Sequence, residues 1–228
     1  HEYAKFIHES GYKGLDGKYR KLFTFSKVYF TPKPEQKENR LFLRAKSNGS
    51  LTVSSPMIND FLATLIMGAS AENRFQIGTS EFEIITVEQI QPPDLSQKQR
   101  FRTLSPLVLS TVKIDNGRKS TYYLRPLDEG IEEAVRKSLV GKYHSIFGKK
   151  PADDRIKFSI DRDYISSRGG PSRVSKLIHL KEGAWNQTTR VKAFECPFYL
   201  EGSEELMQVA WDCGIGDKTN MGFGCIGF

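Results

Sequence analysis

Apolar and polar positions alternate through the first ninety residues in short stretches that predict strands, with one longer helical stretch among them. Six of the nine positions from Leu22 to Phe30 are apolar, which is typical of a strand. After Ser55–Pro56, apolar side chains recur at helical spacing from Met57 to Ile66 and predict a helix that begins at a proline. The predicted strands are Leu22–Phe30, Arg40–Lys46, Leu51–Ser54, Arg74–Ile77 and Phe82–Ile90, the second and third forming a hairpin around Asn48–Gly49.

The rest of the chain shows a similar pattern after a polar segment that contains two prolines. Pro92–Pro93 and the polar run that ends at Arg100 are the best linker in the sequence. Two helical stretches, Asp128–Phe147 and Ser203–Cys213, stand among predicted strands. Those strands are Phe101–Val112, Arg155–Asp163, Arg173–Lys181, Thr189–Leu200 and a final one around Gly224–Phe228.

The order of these elements predicts an α+β fold made of two ferredoxin-like domains in tandem. The opening stretch, His1–Ser10, predicts the end of a helix, because Gly11 and Gly14 interrupt its apolar pattern. Each part of the chain then gives strand–helix–strand–strand–helix–strand, provided that the first strand of the first part precedes His1. The same βαββαβ order is the topology of RNA-recognition domains. The linker places an N-terminal domain at residues 1–98 and a C-terminal domain at residues 99–228. No sequence repeat relates the two parts, so this prediction rests on element order alone.

The composition is that of a folded, basic protein. Its 228 residues are 38% hydrophobic, and the longest apolar run, Phe61–Ala69, is about half the length of a membrane helix. Three cysteines without CxxC spacing argue against a disulfide framework and a zinc site and predict a reduced, cytoplasmic location. The formal net charge is +7, and Arg136–Lys181 holds 12 basic and 4 acidic residues. This concentration indicates a surface that contacts successive phosphates of a nucleic-acid backbone. The alternative is a protein that is basic but has no polyanionic partner.

The most specific segment is a glycine-rich tail, Gly214–Cys225, which lies between the last predicted helix and the last predicted strand. It lacks the Gly-Lys-Ser/Thr of a Walker loop, and it does not follow a strand as a dinucleotide-binding GxGxxG does. Paired glycines would let successive backbone N–H groups face one concavity suited to phosphate oxygens. From the residues alone, a structural turn and an RNA site fit this tail equally well. The candidate RNA contacts are Gly214, Gly216, Lys218, Asn220, Gly222 and Gly224.

The G-x-G-x5-G-x-G spacing of the tail, at the end of a basic tandem ferredoxin-like chain, resembles the CRISPR repeat-processing endoribonucleases of the repeat-associated mysterious protein superfamily. Three further stretches agree with this resemblance, namely Phe6–Glu9, Lys21–Ser26 and Thr103–Pro106. The resemblance implies a protein that binds CRISPR repeat RNA and cleaves precursor crRNA with neither a metal nor another cofactor. It also implies retention of the product within a CRISPR interference complex and leaves room for a homodimer. The alternatives are a non-catalytic crRNA-binding subunit and a general RNA-binding module.

The same resemblance implies roles for individual residues. His8, at a helix end, and Lys21, at the junction with the following strand, correspond to catalytic positions. The resemblance places a further catalytic tyrosine before His1, and Tyr12 and Tyr19 lie in the right loop to replace it, so the third catalytic residue is Tyr12, Tyr19 or a residue before His1. A family hairpin that lies against RNA corresponds to the strands Arg155–Asp163 and Arg173–Lys181. Its candidate backbone contacts are Arg162, Arg168, Arg173 and Lys176.

These two catalytic candidates suit cleavage in which RNA provides its own nucleophile. The 2′-hydroxyl attacks the adjacent phosphate, and the products carry a 2′,3′-cyclic phosphate and a 5′-hydroxyl. An imidazole with an unperturbed pKa of ~6.5 can accept or donate the protons, and a lysine can stabilise the charge on the phosphorane. Without the resemblance, a single histidine such as His8 at a helix end would be read as a cap or a surface residue. No set of Asp, Glu, His and Cys has the spacing of a metal site.

Overall fold

The computed structural model describes most of the chain. The described residues are 11–38, 40–44, 46–57, 62–71, 73–182 and 187–228. His8, the predicted catalytic histidine, lies outside them. None of the described helices has both the length and the apolar character that crossing a bilayer would require.

Residues 11–98 form short strands that pair with near neighbours in antiparallel hairpins. The described helix of this part is α1 (Ala63–Ala71), which begins later than predicted, and residues 58–61 before it lie outside the description. The strands are β1 (Tyr12–Lys13), β2 (Tyr19–Arg20), β3 (Thr24–Phe25), β4 (Tyr29–Thr31), β5 (Glu35–Lys37), β6 (Arg40–Phe42), β7 (Asn48–Ser50), β8 (Val53–Ser54), β9 (Arg74–Ile77) and β10 (Ser80–Glu83).

One long hairpin replaces the two-strand hairpin that the sequence predicts around Asn48–Gly49. β3 pairs with β8, β4 with β7 and β5 with β6, so the chain reverses after Glu38, which has a positive φ of 54°. Gly49 lies within a strand, opposite Phe30. A Cβ on Gly49 would stand 3.0 Å from the ring of Phe30. This glycine therefore allows a close aromatic contact and does not form the turn.

The predicted strand Phe82–Ile90 is largely absent. β10 ends at Glu83, and residues 84–90 have no regular structure. Ile85, Val87 and Ile90 in this segment are 79%, 56% and 60% exposed. The alternating apolar pattern is present, but no strand among the described residues pairs with the segment beyond β10. A strand needs a neighbour for its backbone hydrogen bonds, and pattern alone does not supply one.

Residues 99–228 contain a larger set of elements. The strands are β11 (Gln99–Thr103), β12 (Ser110–Asp115), β13 (Arg118–Tyr123), β14 (Ile156–Ile160), β15 (Ser175–Glu182), β16 (Gln187–Phe194), β17 (Phe198–Gly202) and β18 (Ile226–Gly227). The helices are α2 (Ile131–Phe147), α3 (Arg162–Ser167), α4 (Pro171–Val174) and α5 (Glu204–Cys213), and a 3₁₀ turn covers Thr219–Met221.

The C-terminal part has the ferredoxin-like topology that the sequence predicts. Its four-stranded sheet has the order β14–β17–β11–β18, with every neighbouring pair antiparallel. In chain order, β11, α2, β14, β17, α5 and β18 give the βαββαβ arrangement. Two insertions interrupt it: the hairpin β12–β13 precedes α2, and the segment from α3 to β16 separates β14 from β17.

Two predicted strands in this part are each split in two, and one predicted pairing is wrong. Thr189–Leu200 is divided between β16 and β17 on either side of Pro197. The stretch Phe101–Val112 is split between β11 and β12, because Pro106 lacks the N–H that a continuous strand needs and the following leucine and valine residues turn into the core. The strands predicted at Arg155–Asp163 and Arg173–Lys181 do not pair with each other. β14 pairs with β17, and β15 pairs with β16.

The main core lies between the four-stranded sheet and helices α2 and α5. Phe101, Phe158 and Phe198 project from neighbouring strands, with ring centres 5.8 Å apart for the first and last and 5.0 Å apart for Phe158 and Phe198. Val135 and Leu139 of α2 are fully buried against the same cluster. Burying each such side chain contributes about 1.5–3 kcal/mol. This core fixes α2, the helix on which the site described next depends.

Candidate functional site

Lys21 follows a tight hairpin that returns the chain to the segment after His8. β1 and β2 pair antiparallel with Tyr12 opposite Arg20. Gly11 lies beside the next position: a Cβ on Gly11 would stand 2.6 Å from the carbonyl oxygen of Arg20 and 3.3 Å from Cγ of Lys21. The chain three residues beyond His8 is therefore in close contact with Lys21.

The two candidate tyrosines occupy different places in this hairpin. Tyr12 is partly buried, packs against the main core and lies opposite the residue that precedes Lys21. Tyr19 lies opposite Lys13 and is 62% exposed, with the Lys13 ammonium 5.9 Å from its ring centre. Side chains of paired residues share a face, so Tyr12 lies on the face of Arg20 and Tyr19 lies on the face of Lys13.

Arg20 holds this hairpin against helix α2. Its guanidinium donates to the two carboxylate oxygens of Asp16 at 2.9 and 2.6 Å and to the hydroxyl of Ser145 at 3.3 Å. The same group lies over Gly141, where a Cβ would stand 2.5 Å from Nη2. The hydrogen bond from Arg20 holds the pKa of the Asp16 carboxyl well below its ordinary value. A hairpin of the N-terminal part is thus fixed on a helix of the C-terminal part.

The glycine-rich tail forms a loop whose glycines are packed. Gly214, Gly216 and Gly224 are buried, and the four motif glycines have φ between +69° and +83°. A Cβ on Gly216 would overlap the carbonyl oxygen of Val108, and one on Gly224 would overlap that of Ile215. Glycine is required at both positions because backbone atoms occupy the space of a side chain.

The backbone N–H groups of the loop do not form the open concavity that the sequence suggests. Those of Ile215, Asp217 and Gly224 donate to backbone carbonyl oxygens at 2.8 to 2.9 Å. The expected phosphate nest is therefore wrong for these three donors. The predicted contacts that are partly exposed are Lys218, Asn220 and Gly222.

A buried lysine of α2 contacts the loop from the helix. Lys142 is 7% exposed, and its Nζ donates to the carbonyl oxygens of Gly214 at 2.7 Å and Gly216 at 3.1 Å. In the sequence, Lys142 is one of the many cations of the basic segment Arg136–Lys181, which does not mark it as buried. The signal was available, since Val135, Leu139 and Lys142 share one face of the helix at helical spacing.

The loop also contacts the strand that follows Lys21. The hydroxyl of Thr24 donates to the carbonyl oxygen of Phe223 at 3.0 Å. The ring of Phe25 lies against Gly222, where a Cβ would stand 2.7 Å from Cε2. Lys21 and the glycine-rich loop are therefore parts of one packed assembly.

The four predicted hairpin contacts lie on three different elements, and all are exposed. Arg162 begins α3 and Arg168 follows its end, Arg173 lies in α4, and Lys176 lies in β15. The helices form here because the Asp161 carboxylate accepts a hydrogen bond from the N–H of Tyr164 at 2.9 Å, capping α3, and because proline occupies the first position of α4.

The hairpin of β15 and β16 carries two further cations, Arg190 and Lys192, that are not among the predicted contacts. Arg190 lies opposite His179 and Lys192 lies opposite Leu177, and all four side chains are exposed. Val191, between the two cations, is fully buried. This alternation of basic and apolar residues along β16 is the signal that could have identified them.

Comparison with known proteins gives the family. Residues 90–228, more than half of the chain, match the family model described as CRISPR associated protein Cas6, C-terminal. The chain belongs to the Cas6 family. It is 25% identical over 177 residues to the putative CRISPR-associated endoribonuclease-like protein Cas6 of Pyrococcus furiosus, covering 78% of this chain and 66% of the relative. It is also 25% identical over 207 residues to CRISPR-associated endoribonuclease Cas6 1 of Methanocaldococcus jannaschii, covering 90% and 73%.

Solved structures of Cas6 proteins share the fold. A structure described as the product of a Cas6-related gene from Pyrococcus furiosus superposes with a TM-score of 0.73 at 22% identity, covering 99% of this chain and 82% of that one. A second Cas6 structure gives a TM-score of 0.70 at 22% identity, covering 90% and 77%. The tandem ferredoxin-like α+β fold predicted from the sequence is thereby confirmed. The chain spans about two thirds of the length of the Pyrococcus furiosus relative named first.

Gly216→Ala should destabilise this Cas6 protein far more than the same change at Gly117. Both glycines have positive φ, +83° and +76°, so each substitution carries a backbone cost of about 1–2 kcal/mol. The space around Gly117 is open, whereas the carbonyl oxygen of Val108 fills the space at Gly216. In urea denaturation we expect a loss of about 1 kcal/mol for G117A and at least about 3 kcal/mol for G216A. Equal losses would show that the loop is not packed as described.

The ammonium of Lys142 should give unfolding a distinct pH dependence. Burial lowers its pKa from 10.5 to about 8, while Cys213 and Asp217 act to raise it and Arg20 to lower it further. Between pH 8 and pH 10.5 the unfolded chain binds more protons than the folded one, so stability rises with pH in that window. The difference in pKa corresponds to about 3 kcal/mol.

Comparison with Lys142→Met isolates this effect from other titrating groups. The free energy of unfolding of the wild type, minus that of K142M, should increase by about 3 kcal/mol from pH 8 to pH 10.5. Denaturant titrations of both proteins across this range measure the difference. A constant difference would mean that Lys142 is not buried as an ammonium.

Proposed function

We propose that this protein binds CRISPR repeat RNA and cleaves precursor crRNA as an endoribonuclease, with His8 and Lys21 as catalytic residues. Membership of the Cas6 family supports the activity, since relatives from Methanocaldococcus jannaschii and Pyrococcus furiosus are named CRISPR-associated endoribonucleases. One observation in particular supports the choice of His8 and Lys21. Gly11, three positions after His8, lies against the side chain of Lys21.

In the proposed reaction the RNA supplies its own nucleophile. The 2′-hydroxyl gives up its proton, its oxygen bonds to the adjacent phosphorus, and the bond from phosphorus to the 5′-oxygen breaks as that oxygen takes up a proton. His8 transfers protons because imidazole titrates near neutral pH, and Lys21 stabilises the negative charge of the phosphorane. The products end in a 2′,3′-cyclic phosphate and a 5′-hydroxyl, and the reaction uses neither a metal nor another cofactor.

Tyr12 is our choice for the third member of the catalytic set. It lies opposite Arg20, the residue before Lys21, and is partly buried. Tyr19 is mostly exposed at the other end of the pairing. A tyrosine held by packing is better placed to orient a phosphate than one in solvent.

The RNA-binding surface that we propose combines the loop and the basic hairpin. Polar contacts from the loop come from Lys218 and Asn220, beside the packed glycines Gly214, Gly216, Gly222 and Gly224. The hairpin and the helices before it contribute backbone contacts, because their cations are exposed and A-form RNA is read largely through its phosphates and shape. The proposed contacts here are Arg162, Arg168, Arg173, Lys176, Arg190 and Lys192.

A non-catalytic crRNA-binding protein is the second candidate. One relative from Pyrococcus furiosus and one from Pyrococcus horikoshii are named putative CRISPR-associated endoribonuclease-like proteins. Such a protein would keep the basic hairpin and the loop but would not cut RNA. Cleavage of a repeat RNA by the purified protein separates the two candidates directly.

We further propose a domain boundary, a cellular location and an assembly state for the protein. The domain boundary between residues 98 and 99 coincides with the start of β11 at Gln99, which supports it. Three free, buried thiols, those of Cys196, Cys213 and Cys225, fit a reducing cytoplasmic location. The product RNA would stay bound and pass to other subunits of a CRISPR interference complex. Homodimer formation is part of the same proposal and can be measured by light scattering.

His8→Ala should lower the single-turnover rate of repeat-RNA cleavage by at least ~10², because positioned acid–base catalysis contributes about that much. Its affinity for the RNA should change less than a few-fold, since His8 acts on protons. Lys21→Ala should be milder, and Lys13→Ala, an exposed lysine in the paired strand, is the matched control and should cut normally. A rate near that of the wild type for H8A would exclude His8 and leave Tyr12, Tyr19 or a residue before His1 as the catalytic candidates.

A single 2′-deoxy nucleotide immediately upstream of the cut should abolish cleavage and leave binding nearly intact. The substitution removes the nucleophile, whereas affinity comes from phosphate contacts along the whole basic surface. Mass spectrometry of the products of unmodified RNA should find 2′,3′-cyclic phosphate and 5′-hydroxyl ends. Normal cutting of the deoxy RNA, or 5′-phosphate ends, would point to an activated water and reject the mechanism.

A further inference from the structure

Lys142 is an unusual residue for the interior of this protein. Lysine is almost never fully buried unless its charge is paired, and Lys142 is 7% exposed. Among the described residues no carboxylate forms an ion pair with its ammonium. Its hydrogen bonds go instead to the backbone carbonyl oxygens of Gly214 and Gly216. A leucine or methionine would fill such a site without the cost of burying a charge, so these two contacts require an explanation.

Helix α2 holds the loop at two points one helical turn apart. The hydroxyl of Ser138 donates to the carbonyl oxygen of Gly216 at 2.9 Å, and Lys142, four residues later, donates to the same oxygen at 3.1 Å. Residues at this spacing lie on the same face of a helix. The carbonyl of Gly216 thus accepts two hydrogen bonds from a helix that the main core keeps in place.

The next residue is fixed on its other side. The N–H of Asp217 donates to the carbonyl oxygen of Val108 at 2.8 Å, and its carboxylate accepts a hydrogen bond from the hydroxyl of Ser110 at 2.6 Å. The peptide that joins Gly216 to Asp217 is therefore held between α2 and the start of β12. Lys218 follows at once with a positive φ of 57°, and its direction depends on that peptide.

We propose that Lys142 is a positioning residue for RNA binding, which fixes the glycine-rich loop through Gly214 and Gly216 so that Lys218 and Asn220 meet the phosphates of the RNA. This inference rests on the proposed function of the loop. Lys142 does not touch RNA in this account, and its contribution to affinity passes through Lys218 and Asn220. A purely structural lysine would instead affect the melting temperature and leave RNA affinity unchanged under conditions where the protein is folded.

A double-mutant cycle tests this coupling. Affinities of the wild type, Lys142→Met, Lys218→Met and the double variant would be measured by fluorescence anisotropy at 25 °C. The probe is the repeat RNA of the source organism's CRISPR array, with a 2′-deoxy nucleotide at the cut. We expect each single change to weaken binding about tenfold and the double variant to be within about twofold of the weaker single variant. Circular dichroism establishes that each variant is folded at the assay temperature.

Lys137→Met is the matched control. Lys137 lies on the same helix, is 72% exposed and pairs with Glu133 at 3.3 Å, so its loss removes one positive charge without touching the loop. It should change affinity less than threefold, and its effect should multiply with that of K218M. If K142M is not folded, Ser138→Ala takes its place in the cycle, because it removes one donor to Gly216 and leaves the charge of Lys142. We then expect a smaller loss that is again not additive with K218M.

The outcomes separate this inference from the proposed function. Near-normal affinity of K142M or S138A, with a clear loss for K218M, would overturn the positioning role and leave the RNA site in place. Losses that multiply in the double variant would also overturn it, since Lys142 would then act independently of Lys218. Absence of repeat-RNA binding by the wild type, or no effect of K218M, would overturn both the loop's role in the proposed function and this inference.

Discussion

The structure depends on the close approach of backbone segments at the glycine-rich loop. Carbonyl oxygens occupy the positions that a Cβ would take at Gly216 and Gly224. Both residues have a left-handed φ, which glycine adopts at little cost in free energy. Because no side chain fits there, the loop lies directly on the strand ends and on helix α2. The hairpin that precedes Lys21 and the basic insertions then have fixed places relative to it.

This packing bears on the RNA-binding role that we propose for the loop. Its N–H groups at Ile215, Asp217 and Gly224 bind carbonyl oxygens of the protein, so the backbone does not offer the phosphate nest that a glycine-rich segment suggests. The loop acts instead as a rigid support for a few polar side chains. The hairpin of β15 and β16, inserted into the ferredoxin-like frame, provides the larger number of cations. Rigidity and charge are thus supplied by different parts of the chain.

Much of the fold could be predicted from the sequence, because helices α2 and α5 and the element order follow from periodicity. The wrong predictions concern residues whose structure depends on contacts with distant parts of the chain, which periodicity does not reveal. Gly49 looked like a turn because its contact with the ring of Phe30 is distant in sequence, and the segment after Glu83 looked like a strand although no described strand pairs with it. At the candidate site, the glycine-rich tail stands out in the sequence, whereas Lys142 does not, because the two carbonyl oxygens that accept its hydrogen bonds lie more than seventy residues away.

The burial of the three cysteines has a practical consequence for solution studies. Burial raises the pKa of the thiols of Cys196, Cys213 and Cys225 to about 12, so they stay protonated at neutral pH, and a protonated thiol is a poor nucleophile. Maleimide dyes react with thiolates, and the native thiols of the folded protein are therefore slow to be labelled. A cysteine introduced at an exposed position could carry a fluorophore for distance measurements while the three natural cysteines are left in place.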